Sequence, residues 1–322
     1  MPKFSVIVPC YNAEHKLNHC LSALVGQTCR DLEAVFVDDC SIDGTLKKLE
    51  TFREQAPFSV QIIAQEENAG PGAARNRGIA AAKGEYLCFC DCDDWYADTF
   101  LEKMANALSG GKDLAICRIA LTTPDGHTAP YTRIDRDKVN SVSYLAAVND
   151  GSLCNLAVHR QLFHGLQIPD IYHGEDLAIV PVVISRAKTF SYVDEALYYY
   201  LVHGDSLSQG VSREECFSFI DAFRFQEKEV DSSMQAELEY NGIKNVIYGF
   251  TLNAFKAGMP QYEVREQIDA FEKAYPRWRC NRYLQDADLK KRIYYFLAAH
   301  RLWGLNRAYA RLHEWYMRRS KA

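Results

Sequence analysis

The sequence predicts an α/β fold: an open, mainly parallel sheet flanked by helices, with a C-terminal helical extension. Three observations point there. Strand-like apolar runs alternate with helix-period segments over residues 4–90. Those runs are apolar at successive positions, as strands buried on both faces of a parallel sheet require. After about residue 211 the strand signals stop and helical spacing continues alone.

Residues 4–8 are a β-branched run closed by Pro9, and residues 13–28 then set Leu17, Leu21, Leu24 and Val25 on one helical face. Residues 34–37 give a second strand, and Asp43 or Thr45 caps a helix reaching about Gln55. Residues 60–64 form a third strand, followed by a Gly-rich turn and an Ala-rich helix over 72–83. Residues 86–90 are the fourth. Beyond residue 111 the pattern mixes: 114–121 reads as a strand, 122–126 as a turn, and 195–202 is rich in tyrosine. Helices are expected over 212–225, 234–257, 262–275 and 289–317.

Composition removes several classes. Of 322 residues, 48% are hydrophobic and 25% charged, which suits a packed core under an ordinary polar surface. A net charge of −5 argues against a nucleic-acid partner. No apolar stretch approaches the roughly 18 residues of a membrane span, and no signal-peptide pattern opens the sequence. The 11 cysteines include no Cys-x-x-Cys pair, and Cys88, Cys90 and Cys92 alternate along one strand instead of surrounding a metal. Reduced thiols in a cytoplasmic protein are expected.

The chemistry sits at the strand ends. Each of the four strands finishes in residues that strands disfavour: Pro9, Cys10, Tyr11 and Asn12; Asp38, Asp39, Cys40 and Ser41; Glu66 through Gly70; and Asp91 through Asp94. Parallel strands bring such ends to one edge, where open α/β sheets bind ligands. Asp91, Asp93 and Asp94 crowd three carboxylates into four residues, a donor set that suits Mg²⁺ or Mn²⁺, although short Asp-x-Asp strings also occur as acidic helix starts. The segment from Asn68 to Gly78 lacks the dinucleotide fingerprint, because it follows the third strand and carries Arg75 at the third glycine position. It reads equally as a Gly-rich helix entry suited to an anion or as a tight turn with surface arginines.

Val6 through Asn12, Val37 through Thr45, Asn68 through Gly78, Cys90 through Trp95, and Gly174-Glu175-Asp176 together resemble family 2 glycosyltransferases of GT-A fold. The resemblance is dense over residues 1–100 and thinner over 150–210. It implies an inverting transferase that takes a nucleotide-sugar donor, usually a UDP-sugar, with a divalent metal, Mn²⁺ or Mg²⁺. By that likeness Pro9 and Tyr11 line the base pocket, with Asn12 and Asn68 in the same nucleotide-binding set. Asp39 accepts a hydrogen bond from uracil, Arg75 lies near the nucleotide, and Asp91 contacts ribose or sugar. Asp93 binds the metal and His203 completes its shell. Asp176 stands at the position of the catalytic base, with Glu175 beside it. Relatives often carry a basic residue near position 201 and a Lys near 156, where this chain has Leu201 and Leu156.

The expected organisation is a nucleotide-sugar-binding half over 1–110, an acceptor-binding half over 111–210 and a helical region over 211–322. The expected acceptor is a glycan or lipid-linked glycan of bacterial-type polysaccharide synthesis. Two other functions fit the same residues: a degenerate transferase-like scaffold without turnover, and a phosphohydrolase with Asp91 as nucleophile. From Lys290 onward nine basic residues face one acidic residue, giving a charge of +8. Leu305, Tyr309, Leu312 and Tyr316 form a stripe there, joined by Trp303 and Trp315. Segment 289–322 therefore reads either as a peripheral contact with an anionic membrane, on its inner face, or as a helix packed on its own domain with a solvated basic face.

Overall fold

Strand β1 (Phe4–Cys10) runs between β2 (Leu32–Asp38) and β4 (Tyr86–Phe89), parallel to both, with Phe4 opposite Leu32 and Cys10 opposite Asp38. Every residue of these three strands is buried, which is why their sequences are apolar without alternation. Strand β3 (Ser59–Ala64) pairs with β2 at the edge and is partly exposed. This computed structural model describes residues 2–131, 139–148, 152–171, 173–202 and 211–319.

The remaining strands are β5 (Trp95–Tyr96), β6 (Leu114–Thr122), β7 (Thr128–Pro130), β8 (Leu156–His159) and β9 (Phe190–Leu201). The order across the sheet is β3-β2-β1-β4-β8-β6-β9-β5, with β7 paired to β6. Strand β8 is antiparallel to β4 and β6, and β5 is antiparallel to β9, whereas β6 and β9 are parallel. The expected parallel pairing thus holds through β4, and the sheet as a whole is mixed. Leu156 is a wholly buried residue of β8, pairing with Ile116.

Helices α1 (Asn18–Gly26), α2 (Thr45–Gln55), α3 (Gly70–Ala81) and α4 (Phe100–Ala107) follow the early strands. Helix α3 lies close on β1: a Cβ added at Gly78 would stand 2.4 Å from Cγ2 of Ile7, so only glycine fits. A short α5 (Val142–Val148) precedes β8.

The chain divides into two compact units. The first comprises Met1–Leu145, Asn149–Asp170 and Arg186–Ser206 and holds the whole sheet; the second comprises Ala146–Val148, Ile171–Ser185 and Leu207–Ala322. Most of α6 (Glu175–Arg186) therefore groups with the C-terminal helices, although the sequence reading set it within 111–210.

Those helices are α7 (Arg213–Glu229), α8 (Gln235–Gly242), α9 (Thr251–Lys256), α10 (Gln261–Ala274), α11 (Leu289–Ala299) and α12 (Trp303–Arg319). Ser212 and Glu215 cap α7 reciprocally, each side chain bonding the other's backbone N–H. Between α8 and α9, Ile243–Phe250 winds as a π-helix. Its Ile243, Ile247 and Phe250 are buried in a core shared with Phe223, Phe271 and Tyr294. The single helix expected over 289–317 is broken at Arg301, whose φ is 59°. Arg301 N bonds Ala298 O and Leu302 N bonds Leu297 O, a Schellman ending, and the guanidinium is held by Asp269 and Glu272. All eleven cysteines are free thiols, and no helix among the described residues is long and apolar enough to cross a membrane.

Candidate active site

The four strand-end clusters of the first unit are tied together at one sheet edge. Asp39 N bonds Cys10 O at 2.8 Å, Gln65 N bonds Asp38 O at 2.8 Å, and Cys90 N bonds Ile7 O at 3.0 Å. Asn12 N donates to Ser41 Oγ and Ile42 N to Asn12 Oδ1, locking the β1 and β2 ends. Pro9 is buried, while the Tyr11 ring is half exposed at the rim, and Asn68 is exposed on the loop before α3.

Asp39 is 3% exposed and serves the chain before any ligand. Its Oδ1 accepts from Gln65 Nε2 and from Ala69 N at 2.9 Å, and its Oδ2 accepts from Gly70 N at 2.8 Å. The anion seated at the α3 N-terminus is therefore Asp39 itself. A carboxylate offers about four lone-pair positions, so one on Oδ2 is left to accept a further donor. Three backbone positions here are left-handed: Asn12 (φ 46°), Cys40 (φ 62°) and Gly70 (φ 84°). Glycine and asparagine accept that region readily, whereas a cysteine pays about 1 kcal/mol or more. Cys40→Gly is expected to raise the urea midpoint with an unchanged slope, a gain of roughly 1 kcal/mol diminished by glycine's freedom in the unfolded chain.

In the acidic loop the three carboxylates differ. Asp91, partly exposed, pairs through Oδ1 with the buried Arg75 guanidinium at 2.7 Å. Asp93 is half-buried. Asp94, 1% exposed, accepts from Tyr198 Oη at 2.5 Å and from Leu201 N at 2.8 Å. Burial, then the charges of Asp91 and Asp93, push the Asp94 carboxyl up to about 8 despite those two donors. Tyr200 also lies in the field of the three aspartates: burial and their charge raise its phenol to about 12.

Tyr198 and Tyr200 were not among the residues expected at the site, and Asp94, read from the sequence as one of three carboxylates suited to a metal, is instead buried under Tyr198 and Leu201. The available signal was the Tyr198-Tyr199-Tyr200 run, since a two-residue period puts Tyr198 and Tyr200 on one face and Tyr199 on the other, where it stacks on Trp95. A carboxyl whose folded pKa exceeds its unfolded value binds its proton more tightly when folded. Its stabilising contribution is complete below about pH 4 and is lost as pH rises toward 8. Asp94→Asn can still accept from Leu201 N, so in metal-free buffer its stability should fall less over that interval than that of the wild type, as read by urea midpoints.

Glu175 and Asp176 occupy the first turn of α6, in the second unit, where the helix dipole favours negative charge. His173 (φ 49°) and Gly174 shape the approach, and a Cβ on Gly174 would meet Ile171 at 2.8 Å and Ser218 at 3.1 Å. His203 lies outside the described residues.

Among the described residues no three His, Cys, Asp or Glu side chains form a metal cage. The crowded Asp91, Asp93 and Asp94 suit instead a hard divalent cation held by one or two carboxylates and completed by ligand phosphates.

The family model described as Glycosyl transferase family 2 matches residues 5–164. The uncharacterized glycosyltransferase YibD of Escherichia coli is 30% identical over 223 residues, 64% of this chain and 63% of that protein. The poly(ribitol-phosphate) beta-N-acetylglucosaminyltransferase TarS of Staphylococcus aureus is 29% identical over 227 residues, 67% of this chain and 39% of its own length. The crystal structure of TarS 1-349 in complex with UDP-GlcNAc superposes with a TM-score of 0.73 at 22% identity, covering 97% of this chain and 91% of that one. The mannosyltransferase PcManGT from Pyrobaculum calidifontis, in complex with GDP-Man and Mn²⁺, gives 0.58 at 16% identity over 96% of this chain and 85% of that one. The matches thus span 63% of the length of each of the first two curated relatives. With the wound sheet and its acidic edge in place, residues 5–164 form a glycosyltransferase family 2 domain, and the chain has the GT-A fold.

Proposed function

We propose that the chain is an inverting glycosyltransferase that moves a hexosyl group from a UDP-sugar to a hydroxyl of a glycan acceptor, in bacterial-type polysaccharide or lipid-linked glycan synthesis. The observation that carries this reading is the convergence of four strand ends on one edge, with Asp91 and Asp93 close enough for their charge to raise the Asp94 carboxyl. TarS, with its UDP-GlcNAc complex, supports the choice of donor.

The chain's own residues divide the work. Pro9 and the Tyr11 ring offer the base an apolar seat, with Asn12 and Asn68 at its rim, and the remaining acceptor position on Asp39 takes a uracil N–H. Arg75 fixes Asp91 toward the ribose or sugar. Asp93 would hold the Mn²⁺ or Mg²⁺, with His203 as a further ligand; when bound, the ion neutralises charge on the leaving diphosphate. Asp176, beside Glu175, takes the acceptor hydroxyl proton as that oxygen bonds to the anomeric carbon and the bond to the diphosphate breaks. A single displacement of this kind inverts the anomeric centre. Family membership sets aside the phosphohydrolase reading of Asp91.

The test is a panel of UDP-, GDP- and dTDP-sugars scored by thermal midpoint with and without Mn²⁺. A UDP-sugar should raise the midpoint in Mn²⁺ as its occupancy of the folded state grows. A panel in which no UDP-sugar moves the midpoint, with or without Mn²⁺, would exclude the donor assignment.

A further inference from the structure

The two C-terminal helices are built with part of their hydrophobic surface facing outward. Helix α11 buries Tyr294, Tyr295 and Ala298 against its unit. At 100° per residue, Leu289, Ile293 and Phe296 fall in the opposite sector. They are exposed there, at 70%, 46% and 58%. Helix α12 repeats the arrangement. Trp303, Asn306 and Ala310 are buried, so Trp303 is a packing residue beside Phe255 and not an interfacial aromatic. Leu305, Leu312 and Trp315 lie on the outer side and are half exposed or more.

Basic side chains border these apolar sectors. Lys290 and Arg292 flank the outer face of α11, and Arg311 flanks that of α12. A helix that only packed on its own unit would turn its apolar residues inward and leave Lys and Arg at the centre of the solvated face. Here the centre is Leu, Ile, Phe and Trp, and the cations stand at the edges. Clustered exposed apolar surface of this kind marks a contact site.

Charge selects the occupant. A second copy joined by a two-fold axis would bring one +8 segment against another, and like charges repel. An anionic bilayer complements that charge, and its headgroup boundary takes aromatic and aliphatic side chains bordered by Lys and Arg. Beside Phe296 a cavity of about 360 Å³ is lined by Trp278, Arg279, Arg292 and Tyr295. The buried Tyr295 Oη has no hydrogen-bond partner among the described residues. Arg279 there is paired with Glu272, and Arg292 is the guanidinium the recess presents to a phosphate-bearing headgroup at the edge of that face.

We infer that the outer faces of α11 and α12 dock on an anionic bilayer surface, with Leu289, Ile293, Phe296, Leu312 and Trp315 entering the headgroup boundary. The inference is independent of the donor assignment, because the test uses no nucleotide. The full chain is co-sedimented with phosphatidylcholine vesicles, with and without phosphatidylglycerol, at low and high salt. Sedimentation is expected with phosphatidylglycerol at low salt, weakened by salt and absent with phosphatidylcholine alone. Phe296→Glu combined with Leu312→Glu should abolish it. Arg292→Gln and Arg311→Gln should each weaken it about fivefold. All variants should keep the wild-type melting midpoint, since the altered side chains face solvent. Equal sedimentation with both lipids, or none with either, overturns the inference. So does self-association in sedimentation velocity that Phe296→Glu abolishes while vesicles stay unbound, which would make the face an interface between copies. Should the double Glu variant not fold, the wild-type comparison of the two vesicles still decides.

Discussion

Asp176→Asn is expected to lower kcat by about a thousandfold while leaving the affinity for the UDP-sugar unchanged, the range over which a positioned general base acts. The substitution keeps the shape of the side chain and removes its basicity. Asp176 lies in the first turn of α6, whose register is set by Gly174 packed against Ile171 and Ser218, so its surroundings should persist. Binding of UDP by calorimetry and transfer by product formation separate the two effects. Unchanged transfer with normal folding would remove Asp176 from the chemistry, and lost UDP binding would reassign it to the donor.

Asp93→Asn is the second large effect. If Asp93 is the carboxylate that holds the cation, its loss should cut kcat/KM by about a thousandfold, the scale of several kcal/mol of charge stabilisation. The Mn²⁺-dependent part of UDP binding should go with it. Asp93 is half-buried where Asp94 is 1% exposed, so the variant should keep its melting midpoint. A variant that binds UDP with full Mn²⁺ dependence would show that another residue carries the metal.

The parallel half of the sheet was legible because burial on both faces leaves a direct mark: every residue of β1 and β2 is buried and their sequences are apolar runs with few polar interruptions. The convergence of strand ends followed from parallel pairing alone. Roles fixed by distant partners were hidden. Asp94 looks like its neighbours in sequence, and only β9, more than a hundred residues on, buries it beneath Tyr198 and Leu201. Asp39 reads as a ligand-facing carboxylate, yet its first partners are the α3 amides. The break at Arg301 had no Gly or Pro to announce it, because an arginine held by Asp269 and Glu272 fills the left-handed position. The outward apolar faces of α11 and α12 could not be told from inward ones, since periodicity fixes a stripe but not the side it packs on.

The most direct measurement is a crystal structure of the protein grown with UDP and Mn²⁺, with anomalous diffraction locating the metal. The uracil should stack at Tyr11 with an N–H on Asp39, and the manganese peak should fall between the diphosphate and Asp93. A diphosphate and manganese bound away from the acidic edge of the sheet would contradict the assignment.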